Sequence, residues 1–279
     1  MRLAEVICKL ELVAKRARAK IHSAFGLPAT QTLNEAAELN DRIEELCNAG
    51  RYADAIPLAE RQLEIAETTF DPKHPSVAVA LNSLAELYFN TSRYADAEPL
   101  VQRALIIDEE SLGAHHFVVA SDLNSLGLVL LYTGRFTEAE PLFRRALAID
   151  EKHSGADHPN VARNLNNLGQ LLLATRRFGE AETVMRQALG IIEKSLGPEH
   201  PYVAHTLSSL AALFSITNRP VEAEALYRRA LAINEKYFGP DHPNVATDLN
   251  NLAELLRDTN RLSEAEPLIR RALAIDQKN

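Results

Sequence analysis

The sequence predicts an all-α fold, a solenoid of antiparallel helix pairs behind an N-terminal capping helix. Three observations predict it. The string HPNVATDLNNLAELLRDTNRLSEAEPLIRRALAI, from His242 to Ile275, begins again with edits at His74, His116, His158 and His200, a step of 42 residues. Self-similarity at such a period is the signature of a stacked-repeat protein. Within each step the apolar residues fall three and four apart, on one face of a helix, and no β-branched or aromatic run marks a strand. Turn residues recur at fixed points, so each step holds two helices, and a pair that cannot bury its apolar face alone must stack on its neighbours.

Residues 2–24 read as one amphipathic helix, with Leu3, Val6, Ile7, Leu10, Val13, Ala17 and Ile21 on one face and Arg and Lys gathered towards its C-terminal end. It is expected to cap the open end of the stack; a basic amphipathic helix also suits a membrane surface or a targeting role. Phe25 to Thr32 is a connector marked by Gly26 and Pro28. Residues 1–31 thus precede a solenoid over 32–279. Its first unit, 32–73, is degenerate in its first half, where Ile43 replaces the small residue of later units. The regular units are 74–115, 116–157, 158–199, 200–241 and 242–279, each opening on His-Pro except at His116-Phe117. Proline suits the first helical turn, whose N–H has no partner in any case. In the 74–115 unit the first helix buries Val77, Leu81, Leu84 and Tyr88, and the second Tyr94, Ala97, Val101, Ala104 and Leu105. Gly113, Gly155, Gly197 and Gly239 close the second helices; Asp71 stands at that place in the first unit and is expected to close it less well.

Composition narrows the function classes. The chain is 46% hydrophobic, lacks Trp and carries a net charge of −8. Residues 1–30 hold six basic and two acidic side chains, so the remainder carries −12, which argues against a nucleic-acid partner. Cys8 and Cys47, the two cysteines, have no ligand-like spacing and fit a reducing compartment. Lys9 and Glu11 interrupt the apolar run a secretory signal needs, no apolar run is long enough to span a membrane, and the cytoplasm is the expected location. The five histidines that open the units lie one repeat apart, too far for a shared metal, and read as turn residues before Pro. No phosphate loop, nucleophile elbow, HExxH or dinucleotide fingerprint is present. The expectation is a non-enzymatic protein with no cofactor and no metal.

A period near 42 also suits HEAT, armadillo and WD40 units, and the last fails for want of strands. The side chains separate the helical choices. A small residue (Ala85, Gly127, Gly169, Ala211, Ala253) lets the helices of a pair approach. An aromatic or apolar residue (Tyr94, Phe136, Phe178, Leu262) opens the second helix, which carries Ala97, Ala139, Ala181, Ala223 or Ala265 and, seven residues on, Ala104, Ala146, Ala188, Ala230 or Ala272. This rhythm resembles the tetratricopeptide repeat. The eight residues beyond the usual 34, with the motif AEPL…RALAI…GPDHPNVA, resemble its kinesin-light-chain type over residues 32–279. The resemblance implies a right-handed superhelix whose first helices line a concave groove. Pro57, Pro99, Pro141 and Pro267 depart from a plain second helix and are expected to bend it, and Pro220 replaces the aromatic at one helix entry, where looser packing is expected.

The candidate binding residues lie on the first helices. Asn82, Asn124, Asn166 and Asn250, with Ser208 at the missing rung and Asn167 and Asn251 alongside, form a polar ladder that suits either a peptide backbone or inter-helix hydrogen bonds. It resembles the groove asparagines of peptide-binding members of the family. One and two turns along, Leu128, Leu131, Tyr132, Leu173 and Ile216 make the middle units apolar where the end units are polar. They form either an exposed binding patch or a surface buried on neighbouring helices. Arg163 and His205 are placed to meet an acidic or C-terminal group. Three readings follow: an adaptor that holds a peptide or partner helix in its groove; a self-assembly module or sensor arm of a larger protein, contacting through a C-terminal end where Leu268, Ile269, Leu273 and Ile275 lack a cover; and a cargo adaptor like a kinesin light chain, against which stand the short segment before the repeats and a groove poor in basic residues.

Overall fold

Helical spacing and turn chemistry are realised in a computed structural model that describes residues 30–277, with side chains from Glu35 onward. The expected helix over residues 2–24 lies outside the described residues. Twelve α-helices follow one another with no strand among the described residues: α1 Thr30–Asn48, α2 Tyr52–Thr69, α3 Pro75–Asn90, α4 Tyr94–Leu112, α5 Phe117–Tyr132, α6 Phe136–Ser154, α7 Pro159–Ala174, α8 Phe178–Leu196, α9 Pro201–Ile216, α10 Pro220–Phe238, α11 Pro243–Asp258 and α12 Leu262–Asp276. Three-residue turns fold each second helix back along its first, as short connections between packed helices do. The chain divides near the end of α6 into two units, one up to Ile149 and one from Asp150.

In the first unit α1 packs on α2, α2 on α3, α3 on α4 and α4 on α5. Ala66, Val77, Ala78, Leu81, Ala104 and Ile107 form one core cluster across α2, α3 and α4, and Val119, Ala120, Leu123, Ala146 and Ile149 another across α5 and α6. The second unit repeats the plan: α7 with α8, α9 with α10, α11 with α12, and α9 also touching α7, α8 and α11. The first helices are packed on several sides and bury most of their residues, whereas a second helix buries one stripe such as Ala181, Met185, Ala188, Ile191 and Ile192.

The small residue does the work its spacing implies. A Cβ on Gly127 would sit 2.7 Å from Phe143 Cε1, and one on Gly169 would sit 2.6 Å from Met185 Cγ. The second helices run unbroken through Pro57, Pro99, Pro141 and Pro267. These prolines sit in the second turn, so each removes only a bond near the helix start. Pro220 is the first residue of α10, a position for which its ring is pre-organised, and the Arg219 guanidinium lies 3.9 Å from the Phe214 ring centre beside it. Gly113, Gly197 and Gly239 end their helices at φ 88–89°, while α2, with no glycine there, ends one residue sooner in the repeat register at Phe70, φ −120°.

Candidate functional site

The first helices are fixed at both ends by turn chemistry that recurs in every regular unit. At the start, the histidine before the helix turns its imidazole back, and Nδ1 accepts from the N–H two residues on. Ser76, Val118, Asn160, Tyr202 and Asn244 donate to His74, His116, His158, His200 and His242 at 3.2–3.3 Å. The turn histidines are therefore N-caps, a task more often given to Ser, Thr, Asp or Asn. Only a neutral imidazole can do it, and burial holds the His74 ring below its ordinary pKa. At the end, Thr91, Thr133, Thr175, Thr217 and Thr259 donate Oγ1 to a carbonyl four residues back at 2.8–2.9 Å. The next residue takes a left-handed φ of 59–77°. The arginine after it donates its N–H to a carbonyl five residues back at 2.7–2.8 Å.

That arginine also ties successive pairs together. Arg135 Nη1 reaches Glu98 at 2.6 Å in the first unit, and Arg219 reaches Glu182 at 2.7 Å and Arg261 reaches Glu224 at 2.5 Å in the second, a constant offset of 37 residues. The hydrogen bond from Arg261 holds the Glu224 carboxyl below its usual range.

The polar ladder is built from bonds between neighbouring first helices. Asn82 Nδ2 donates to Asp122 Oδ1 at 2.8 Å, and Ser208 Oγ to Asp248 Oδ1 at 3.3 Å, each across 40 residues. Asn166 Nδ2 lies 3.1 Å from His205 Nε2, both buried. The second helices add rungs, Asn164 donating to Asp150 at 2.8 Å and Asn234 to Asp248 at 2.6 Å. Burial pushes the Asp248 carboxyl up to about 6 against the pull of Asn234 and Ser208, and burial pushes His205 down to about 3. Burial likewise raises the Asp150 carboxyl, with the charge of Arg163 opposing.

The expected binding residues divide by exposure. The expectation of a solvent-facing position is corrected at Leu128, which is 3% exposed against its neighbours. Asn124, Arg163, Asn166, Asn167 and His205 are buried as well, the last as a neutral ring rather than a cation. Arg163 Nε has no hydrogen-bond partner among the described residues. Asn82, Leu131, Leu173 and Ser208 are half-buried, and Tyr132, Ile216 and Asn250 are exposed. The buried members are covered because a first helix is packed on both flanks, so only a narrow strip of it reaches solvent.

One cleft opens on that strip in the first unit. It encloses about 470 Å³, partly open to solvent, between α3 and α5 above Val101 of α4. Asn82, Glu86, Phe89 and Asn90 line it from α3, and Ser121, Asp122, Ser125, Leu128 and Val129 from α5. Beside it stands an aromatic trio. Phe89 meets Tyr94 and Tyr132 edge-on, both at 5.3 Å, and Tyr94 stacks on Tyr132 at 5.5 Å. Of these residues the sequence pattern singled out Tyr132, Asn82 and Leu128 but not Glu86, Phe89 and Asn90, which belong to an end unit; the signal for them was the α3 face, four, seven and eight residues on from Asn82. Among the described residues no cluster of His, Cys, Asp or Glu is placed to hold a metal, and no helix is long and apolar enough to cross a membrane.

Comparison with known proteins gives matches to the tetratricopeptide repeat at residues 35–110, 76–152, 117–194, 166–236 and 219–278. No curated protein sequence matches the chain. Among solved structures, a Podosopora anserina protein described as a kinesin light chain with nearly identical TPR-like repeats is 24% identical, with 74% of this chain and 97% of that one covered and a TM-score of 0.57. BtubC (BKLC) from P. vanneervenii is 21% identical over 90% of this chain and 92% of its own, with a TM-score of 0.61. The apo form of RapI is 15% identical over 88% and 98%, with a TM-score of 0.60. At these identities the likeness is one of fold. Paired helices from Thr30 to Asp276 and repeat matches from residue 35 to residue 278 place the chain in the tetratricopeptide repeat family, whose fold is a protein–protein interaction scaffold.

Proposed function

We propose that the chain is a non-enzymatic adaptor that holds a peptide or partner helix on the solvent-facing strip of its first helices, the concave groove of this repeat type. The observation that carries the reading is the cleft between α3 and α5, with its apolar floor, convergent polar groups and the half-exposed Tyr132 at its rim. Ile216, 60% exposed on α9, offers an apolar contact on the corresponding strip of the second unit. The acidic body supports a protein ligand over nucleic acid, and a cytoplasmic setting fits a chain with two cysteines in no disulfide-framework spacing.

A photo-crosslinking residue placed at Tyr132 or Ile216 tests the reading in native extract. Capture of one defined partner from these sites is expected, with none from Ile106 or Val221, which are also apolar and more than half exposed but lie on second helices. Equal capture from all four positions would sink the proposal.

Self-association has its own observation. Ile269 of α12 is 47% exposed, whereas Val101, Phe143, Met185 and Tyr227 at the same repeat position are buried; Leu273 beside it is 56% exposed. A second copy covering this face would give a dimer in sedimentation that Ile269→Glu dissociates. A wild-type monomer at high concentration removes this reading.

A further inference from the structure

Successive helix pairs meet along a seam with a constant chemistry. Leu231 of α10 packs against Val245, Ala246 and Leu249 of α11, and Glu224 receives Arg261 from the turn after α11. Leu105 of α4 packs against Val119, Ala120 and Leu123 of α5 in the same way, and Glu98 receives Arg135. On α12 the matching leucine and glutamate are Leu273 and Glu266, with Ile269 between them, and all three are exposed. The Glu266 side chain is 63% exposed, against 21–28% for Glu98, Glu182 and Glu224. Its bond among the described residues is to Arg270 of its own helix. The opposite half of the seam lies on α1 and the turn after it. Leu39 is half-buried where Leu81, Leu123 and Leu249 are fully buried. Arg51 occupies the position from which Arg135, Arg219 and Arg261 tie successive pairs. Its side chain is 60% exposed, against 33–40% for those three, and it bonds to Asp54 of its own turn.

We propose that the α12 face is covered by the α1 end of a second copy, so that copies join head to tail. The proposal rests on the self-association reading above and names the surface that the second copy brings. The Leu39 flank of α1 covers Leu273 and Ile269, and Arg51 gives Glu266 the second guanidinium that Glu182 and Glu224 receive within the chain. The charges at the two ends are opposite, which favours this contact and opposes a meeting of two like ends. Glu35 stands on α1 where the inner first helices carry Val77, Val119 or Val245, and it accepts from Arg61. The contact between copies is therefore less apolar than an inner seam, and reversible. Because the two surfaces differ, each contact leaves one of each at the ends, and association does not close at two copies. Pairing of α12 with α12 of a second copy would close at a dimer and would make no use of Arg51.

The test is sedimentation velocity of the full chain over a range of concentrations. The wild type is expected to pass beyond the dimer as concentration rises. Arg51→Glu and Glu266→Arg are each expected to associate about tenfold more weakly, because like charges then meet at the contact. An equimolar mixture of the two variants is expected to regain wild-type association, since every contact between unlike copies again pairs an arginine with a glutamate. That recovery also shows that both variants are folded. A wild type that stops at the dimer, association of Arg51→Glu at wild-type strength, or a mixture no stronger than its components overturns the head-to-tail contact. If Ile269→Glu still dissociates the assembly in any of those cases, self-association through α12 stands and the α1 surface is removed from it. A wild type that stays monomeric at high concentration removes both.

Discussion

At the scale of single residues, the contact between a small and a large side chain sets how closely a pair closes. Gly127 faces Phe143 and Gly169 faces Met185, whereas Ala85 shares its pair with the smaller Val101. Gly127→Ala gains about 1 kcal/mol of helix propensity but overpacks a rigid ring at a cost of about 1–3 kcal/mol. A net loss of about 1 kcal/mol is expected in urea unfolding, smaller for Gly169→Ala because Met185 can shift its chain, and Phe143→Val is expected to restore part of it. Two buried titrating groups of the second unit oppose each other. His205, lowered from 6.5 to about 3, is neutral in the fold, so the unfolded state binds its proton first and stability falls as pH drops below 6.5. Asp248, raised from 3.8 to about 6, holds a proton that the unfolded state releases, so its effect runs the other way and stability rises as pH drops from 6 to 4. Each slope is about 1.4 kcal/mol per pH unit. Relative to wild type, Asp248→Asn is expected to lose stability more steeply on acidification between pH 6 and 4, and His205→Gln less steeply. Parallel curves for the three proteins would show that neither group is shifted as described.

At the scale of elements, the helices were legible because a 42-residue period repeats every spacing five times, and chance apolar residues do not survive that repetition. The histidines were legible as turn residues and not as caps, since an imidazole joins the usual capping side chains only when a neutral ring nitrogen points back at the helix. Replacing His158 with Ala is expected to cost about 1 kcal/mol, and with Asn almost nothing. Urea midpoints at pH 7.5 check both. The candidate site was half legible. Tyr132 and Ile216 reach solvent, but Leu128 and Arg163 do not, and a helical wheel cannot tell a strip facing solvent from a flank facing the next pair. The Asn82 to Asp122 bond could have been found in the sequence, as a ladder position set two residues back in the next repeat, but only a register fixed by packing says that the two side chains meet.

At the scale of the molecule, a helix-pair stack draws its stability from nearest neighbours, so an element covered on one side opens first. α12 buries only Ala265, Ala272 and Ile275, fewer positions than α8 or α10 in the same unit. Its amides are expected to exchange with deuterium before those of α8 and α10, and uniform protection across the three helices would contradict the nearest-neighbour picture. The ties between pairs carry a consequence for how such a chain changes length. Arg219 reaches Glu182 and Arg261 reaches Glu224 across 37 residues, and Ser208 reaches Asp248 across 40. Each bond closes within one step of the repeat. Tandem duplication of a complete 42-residue segment therefore supplies the new pair with both halves of every tie, whereas an insertion of any other length leaves donors facing the wrong turn. Growth or loss by gene duplication is thereby quantised, and a lengthened chain inherits a working joint at the first attempt.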